Sequence, residues 1–334
     1  MKSAARIFKI LLVVIVSVGL VLIIAWRTIS SYAEKAITEK LKNANVSFES
    51  VSIDLLNESA RFTKLHWESP TDSAHHAPHL VRAENVFISG IGILSYLINK
   101  ELTISRMEME HGDISITENL NVKKEENSFL VIREISIDQF IGKDIQAQFV
   151  FDSIPEYSAK IEFTLDNIQL YNFSQADMGY KIKSIEALAE QVVIHKKESL
   201  YTTKISKFHV NTDQGIIEVD SLNMNPVKGK YEFANSLGKQ KTRIVLQIPK
   251  IAVTGFDYEL VKDSIFSASF VDISSANLSV FRDKRLPFKN PIVPLPMHML
   301  KDISFGIKMD SIVIRDSKIV HEEIAEEGSE IGKS

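Results

Sequence analysis

The chain has 334 residues, 45% of them hydrophobic, no cysteine, and 39 basic against 43 acidic side chains for a net charge of −4. Lack of cysteine excludes a disulfide framework, a thiolate metal site, a cysteine nucleophile and an acylated lipoprotein N-terminus. Charges of both signs are interspersed, so no basic field for nucleic acid exists.

Residues 1–9 carry Lys2, Arg6 and Lys9, and no acid precedes Glu34. This bias predicts a cytoplasmic N-terminus and places everything after Arg27 across the membrane. Ile10–Trp26 is an uncharged apolar run whose helical length of about 26 Å approaches the roughly 30 Å bilayer core. It reads as one transmembrane helix over residues 10–26, with Trp26 as an interfacial aromatic. A cleaved signal peptide is the rival reading, but bulky Trp26 and Arg27 stand where small residues mark cleavage. In residues 27–45, Ile29, Tyr32, Ala33, Ala36, Ile37 and Leu41 recur every three or four positions. That spacing predicts a helical stalk packed on the first strands.

From Val46 the period becomes two. Ile161/Phe163/Leu165, Ile244/Leu246/Ile248, Phe266/Ala268/Phe270 and Ile303/Phe305/Ile307/Met309 alternate with polar residues, between Gly, Asn, Asp and Pro punctuation. Residues 46–285 read as a repetitive antiparallel β domain. Within it a longer pattern recurs: Ile104-Met107-Met109-Ile114-Ile116, Ile182-Ile185-Ala187-Val192-Ile194 and Ile248-Ile251-Val253-Tyr258-Leu260. Val219-Leu222-Met224-Gly229-Tyr231 and Met309-Ile312-Ile314-Ile319 are near matches. The reading is a strand, a tight turn and a returning strand, with the polar pairs Ser105-Arg106, Lys183-Ser184 and Asp310-Ser311 acting as bulges. Leu94, Leu97 and Ile98, in a short apolar helix or turn over 91–100, are expected to plug one end of the sheet. Residues 286–300, with Pro287, Pro291, Pro294 and Pro296, predict a stiff connector. A further β-hairpin is expected over 301–321 and a disordered acidic tail over 322–334.

Chemistry-bearing constellations are few. His75, His76 and His79 cluster in a Pro-flanked loop with Asp72 as the sole nearby carboxylate, which reads as a solvated loop rather than a metal site. No Gly-x-Ser-x-Gly elbow occurs, and Gly332-Lys333-Ser334 lacks the upstream glycine of a phosphate loop. No catalytic residue, metal ligand or cofactor is predicted, and the chain does not read as an enzyme.

The fold expectation is mainly β: an N-terminal transmembrane helix, then a long, twisted, repetitive antiparallel sheet. The sheet either curls into an open apolar groove or closes as a β-sandwich. A groove suits lipid acyl chains. Its candidate lining is the repeat's apolar positions: Ile104, Met107, Met109, Ile114, Ile116, Ile182, Ile185, Ile251, Val253, Ile312 and Ile314. A sandwich suits a structural or adaptor module of an envelope complex that binds no lipid.

The stretch from His79 to Ile116, with Ala83, Val86, Ile88, Leu94, Leu97, Leu102, Ile104, Met107, Met109, Ile114 and Ile116 at its apolar positions, resembles the AsmA-like family of bacterial envelope proteins. Leu295-Pro296-Met297-His298-Met299-Leu300 followed by Ile312, Ile314, Ile319 and Val320 is similar to the Bacteroidetes branch of that family. The resemblance implies an inner-membrane anchor, a periplasmic β-groove, phospholipid as ligand, envelope protein partners, and a part in outer-membrane biogenesis. Some fifteen strands at roughly 4.8 Å reach about 70 Å at most, so a full bridge requires partners or a longer chain.

Overall fold

The computed structural model describes Glu34 and residues 45–68, 79–117, 133–151, 154–171, 179–197, 199–288, 306–327 and 331–333. The Ile10–Trp26 run, His75, His76 and most of the Pro-rich connector lie outside these residues, as does the stalk apart from Glu34 and Asn45. Among the described residues no helix is long and apolar enough to cross a membrane.

Among the described residues sixteen strands form one sheet. They are β1 (Val46–Ser47), β2 (Ser50–Asp54), β3 (Ser59–Glu68), β4 (Leu80–Ile91), β5 (Glu101–Thr117), β6 (Glu134–Phe151), β7 (Ile154–Tyr171) and β8 (Gly179–Ile194). They continue with β9 (Tyr201–Asn211), β10 (Ile216–Pro226), β11 (Arg243–Thr254), β12 (Ile265–Ser274), β13 (Asn277–Asp283), β14 (Gly306–Arg315), β15 (Lys318–Ile324) and β16 (Ile331–Lys333). The strands follow one another laterally almost in chain order, from β1 and β2 beside β3 to β14 and β16. The two ends of this described sheet do not pair, so it is open, and the closed-sandwich alternative is not what forms.

The sheet is mixed rather than antiparallel. β5–β6, β12–β14 and β13–β15 pair in parallel. A parallel neighbour requires the chain to travel back a strand's length unpaired. The sequence leaves room for this between β5 and β6 and between β13 and β14, where sixteen and twenty-two residues intervene.

Three further expectations are corrected. The repeat is not a strand, turn and returning strand: Ile104–Ile116 and Ile182–Ile194 each lie within a single strand, β5 and β8. Residues 301–321 do not make a hairpin, because β14 and β15 continue one line that pairs with the continuous line of β12 and β13. Nor is the tail wholly disordered: β15 runs to Ile324, and β16 pairs antiparallel with it. Because bent lines count twice, the sixteen strands fill thirteen lateral positions, a width of about 58 Å rather than 70 Å.

The strands bend instead of turning. Left-handed residues sit inside them, among them Asn167 (φ 50°), Gln191 (52°) and Ser221 (54°), and Ser275 (59°) and Asp316 (49°) join β12 to β13 and β14 to β15. Their polar, unbranched side chains tolerate that region, which costs a β-branched residue more. Register aligns these residues across strands: Gln191, Ser206, Ser221, Pro249, Ser275 and Asp316 form one fold line. A second runs through Gly90, Ser105, Asp138, Asn167 and Lys183. Gly90 (φ 66°) approaches so closely that an added Cβ would lie 2.3 Å from Ser105 Oγ. The polar pairs of the repeat therefore do mark bends, as their spacing predicts.

The short helix Ile93–Asn99 joins β4 to β5, within the span expected. Its Ile98 does not plug the sheet, being 69% exposed. The side chains of Leu94 and Leu97 lie outside the described set.

Candidate functional site: a continuous apolar face

At each bend the apolar side chains resume three residues on, as from Ile104 to Met107, Ile182 to Ile185, Ile248 to Ile251 and Met309 to Ile312. A plain strand would flip its facing after an odd step. The left-handed bend restores it, so the apolar residues on either side of a bend share one side of the sheet. Cross-strand partners share a face, and the register can be followed sideways.

One row runs Val51, Phe62, Val86, Met109, Gly142, Phe163, Ala187, Val210, Ile217, Val253, Val271, Ile312. The next runs Leu65, Ala83, Gly112, Ile145, Ile161, Ala189, Phe208, Val219, Ile251, Ile273, Ile314. Neither row contains a polar side chain, and each crosses the sheet from β2 or β3 to β14. A third, Ile91, Ile104, Ile137, Ile168, Ile182, is isoleucine throughout.

All eleven predicted residues fall on this face. Ile114 and Ile116 lie beside Ala147 and Phe149, and Met107 and Ile185 flank Phe140 and Leu165. The face does not treat them alike. Ile104, Met109 and Val253 are buried within side-chain clusters and serve as core, whereas Met107, Ile114, Ile182, Ile185 and Ile251 are half-buried. Ile116, Ile312 and Ile314 are exposed. Ile307, Phe208, Leu278, Val280 and Ile319 belong to the same face but are not among the eleven candidates, although Ile307 and Ile319 stand in the apolar patterns read from the sequence. Strict alternation with Met309 and Val210 flags Ile307 and Phe208. The strand break at Ser275 hides Leu278 and Val280.

The opposite face is charged and riveted by ion pairs. Arg106 meets Glu108, Lys143 meets Glu110 at 3.1 Å, and His209 lies 3.6 Å from both Glu186 and Glu218. At the His111–Asp144 bend, hydrogen bonds from Lys160 and then His111 hold the Asp144 carboxyl below the usual carboxylate range. A hollow of about 640 Å³ on this side is lined by Lys143, Glu162, Glu186, Lys207, His209 and Glu218. Lys143 pairs with Glu110, His209 lies between Glu186 and Glu218, and Lys250 approaches Glu218, which makes this a solvated surface of paired charges.

Near the β13 end, Asp283 is buried, and Arg285 clamps it through Nε at 2.9 Å and a second guanidinium nitrogen at 2.7 Å. That hydrogen bonding keeps the carboxyl ionised below its ordinary range despite burial. Phe281 stacks edge-on with Tyr231, and Lys230 reaches Glu322 across the same corner.

Among the described residues no group of histidine and carboxylate ligands is placed to hold a metal ion. His79 is engaged with Thr117, whose backbone N–H lies 3.1 Å from His79 Nδ1. No protein-family model matches the chain, and no curated protein matches it.

Proposed function

We propose that this chain is a membrane-anchored periplasmic protein of the bacterial cell envelope whose apolar face binds acyl chains, as an AsmA-like protein in outer-membrane biogenesis. The bent sheet forms a groove, and the two apolar rows are the track along which a hydrocarbon chain lies. The observation that carries this reading is the unbroken run of non-polar side chains across a sheet that is open and single-layered among the described residues. A soluble domain of this size ordinarily buries such a face under helices or a second sheet. The ligand class follows from the surface: apolar residues line the two rows from strand to strand, and the ion pairs of Arg106, Lys143 and Lys160 lie on the other side. No catalytic role is part of this reading.

The test is extraction of the full chain in mild detergent, with lipid counted by mass spectrometry. A photoreactive amino acid is placed at Ile251 or Ile312 and, as a control, at Lys143 on the charged face. Co-purifying phospholipid and crosslinks from the apolar positions alone are expected. Lipid-free protein with no lipid adduct from either face overturns the reading.

A second reading, an adaptor without lipid, draws on the edge of the sheet. Among the described residues β14 pairs with β12 on one side only, leaving a ten-residue edge that a protein strand can extend. Crosslinking that returns one stoichiometric protein partner and no lipid favours it.

A further inference from the structure

Leu56 and Ile98 are 72% and 69% exposed, and both sit at the same end of the strands. Leu56 caps the β2–β3 turn. Ile98 rides on the helix that joins β4 to β5, and the turn and the β4 end touch through a 3.1 Å hydrogen bond from Ile91 N–H to Glu58 O. The turn is built to hold Leu56 outward. Asp54 accepts hydrogen bonds from Leu56 N–H at 3.0 Å, Asn57 N–H at 3.2 Å and the Asn57 side-chain amide at 2.6 Å. On the helix, Lys100 lies over the Tyr96 ring, the amphipathic pairing found at membrane interfaces.

The chain's entry into the sheet says which end faces a bilayer. Glu34 Oε1 accepts a hydrogen bond from Ile53 N–H at 3.1 Å, two residues before the turn that carries Leu56. Asn45 lies at the opposite strand end, where β1 pairs with Trp67. Glu34 stands eight positions after Trp26, the last residue of the apolar run, so only a short stretch of sequence separates that run from the Leu56 end.

We propose that the hairpin tips carrying Leu56 and Ile98 insert into the interfacial region of the bilayer that holds the N-terminal run, so that the sheet stands on the membrane by its strand ends. Neighbouring strands rotate by roughly 20–25° each, so the twist carries later strands away and limits contact to these first hairpins. The proposal rests on the membrane reading of the Ile10–Trp26 run but not on lipid binding by the groove.

Because the chain lacks cysteine, single cysteines report cleanly. Leu56→Cys, Ile98→Cys and Val227→Cys, the last also solvent-facing but at the opposite strand end, are each labelled with an environment-sensitive fluorophore. The full chain is then reconstituted in phosphatidylethanolamine–phosphatidylglycerol vesicles. Blue-shifted emission and quenching by spin-labelled lipid are expected at 56 and 98, with neither at 227. Any other pattern, including water exposure at 56 and 98 or immersion of 227, overturns the proposal. Resistance of the protein to alkaline extraction reports on the anchor separately, and phospholipid counted before reconstitution reports on the groove.

Discussion

The apolar face is one surface with two characters. On β5 and β6, Met109 and Ile145 are 4% and 0% exposed, while on β14 their counterparts in the same two rows, Ile312 and Ile314, are 50% and 62% exposed. The chemistry and the spacing are shared, so neither explains the difference. Flanks do. Met109 and Ile145 have strands on both sides and join a cluster with Phe140 and Phe163, whose rings meet edge to face at 5.1 Å. Ile312 and Ile314 lie on an edge strand with one neighbour among the described residues. The facing of a residue is a local matter set by the bends, whereas its burial is set by what stands beside it.

The largest effect that tests this contrast is Ile145→Ala. It removes a wholly enclosed side chain and is expected to destabilise by about 2–5 kcal/mol, whereas Ile314→Ala stays near the roughly ±0.5 kcal/mol of exposed sites. Urea denaturation and hydrogen exchange of β5–β7 amides distinguish them, and equal losses would break the comparison.

Next come the bends, whose effect is local. Gly90 and Gly255 hold φ of 66° and 68°, and an added Cβ would lie 2.3 Å and 2.4 Å from the hydroxyls of Ser105 and Ser269. Gly90→Val in the closed region and Gly255→Val toward the open one are expected to cost the same, about 2 kcal/mol or more each. A much smaller loss at Gly255, read by thermal unfolding, would show that burial as well as backbone geometry sets the cost.

Smallest is the Asp283–Arg285 clamp, at the corner where the open region ends. A carboxyl depressed in the folded state contributes stability fully above its unfolded value, near pH 4, and loses it as pH falls through the folded value. Asp283→Asn is therefore expected to cost about 1–3 kcal/mol at pH 7 and progressively less as the pH drops below about 4. A pH-independent difference between the two proteins would remove the carboxylate from the account.

Much of this was legible from residue order. The step from Ile104 to Met107 across Ser105-Arg106 announces a bend, and the matching steps at Lys183-Ser184 and Asp310-Ser311 announce its repetition. The eleven candidate positions share a face for that reason. The turn inferred in the middle of the repeat was misread because Gly112 occupies the inward position between Met109 and Ile114. A glycine leaves no apolar mark in a hydropathy pattern. The hairpin expected over 301–321 failed for a related reason: Asp316-Ser317 looks like a turn, yet Asp316 with φ of 49° only bends a line that β12 and β13 continue alongside.

By itself the sequence determined the strand period, the position of the bends and the choice of residues for the apolar side, because these follow from side chains a few positions apart. Tertiary structure decided the three parallel pairings, the recruitment of Ile331–Lys333 as a last strand, and which residues of one apolar row are core and which are open. Those outcomes depend on where distant segments return and on how many neighbours flank a strand. Local spacing carries no record of either.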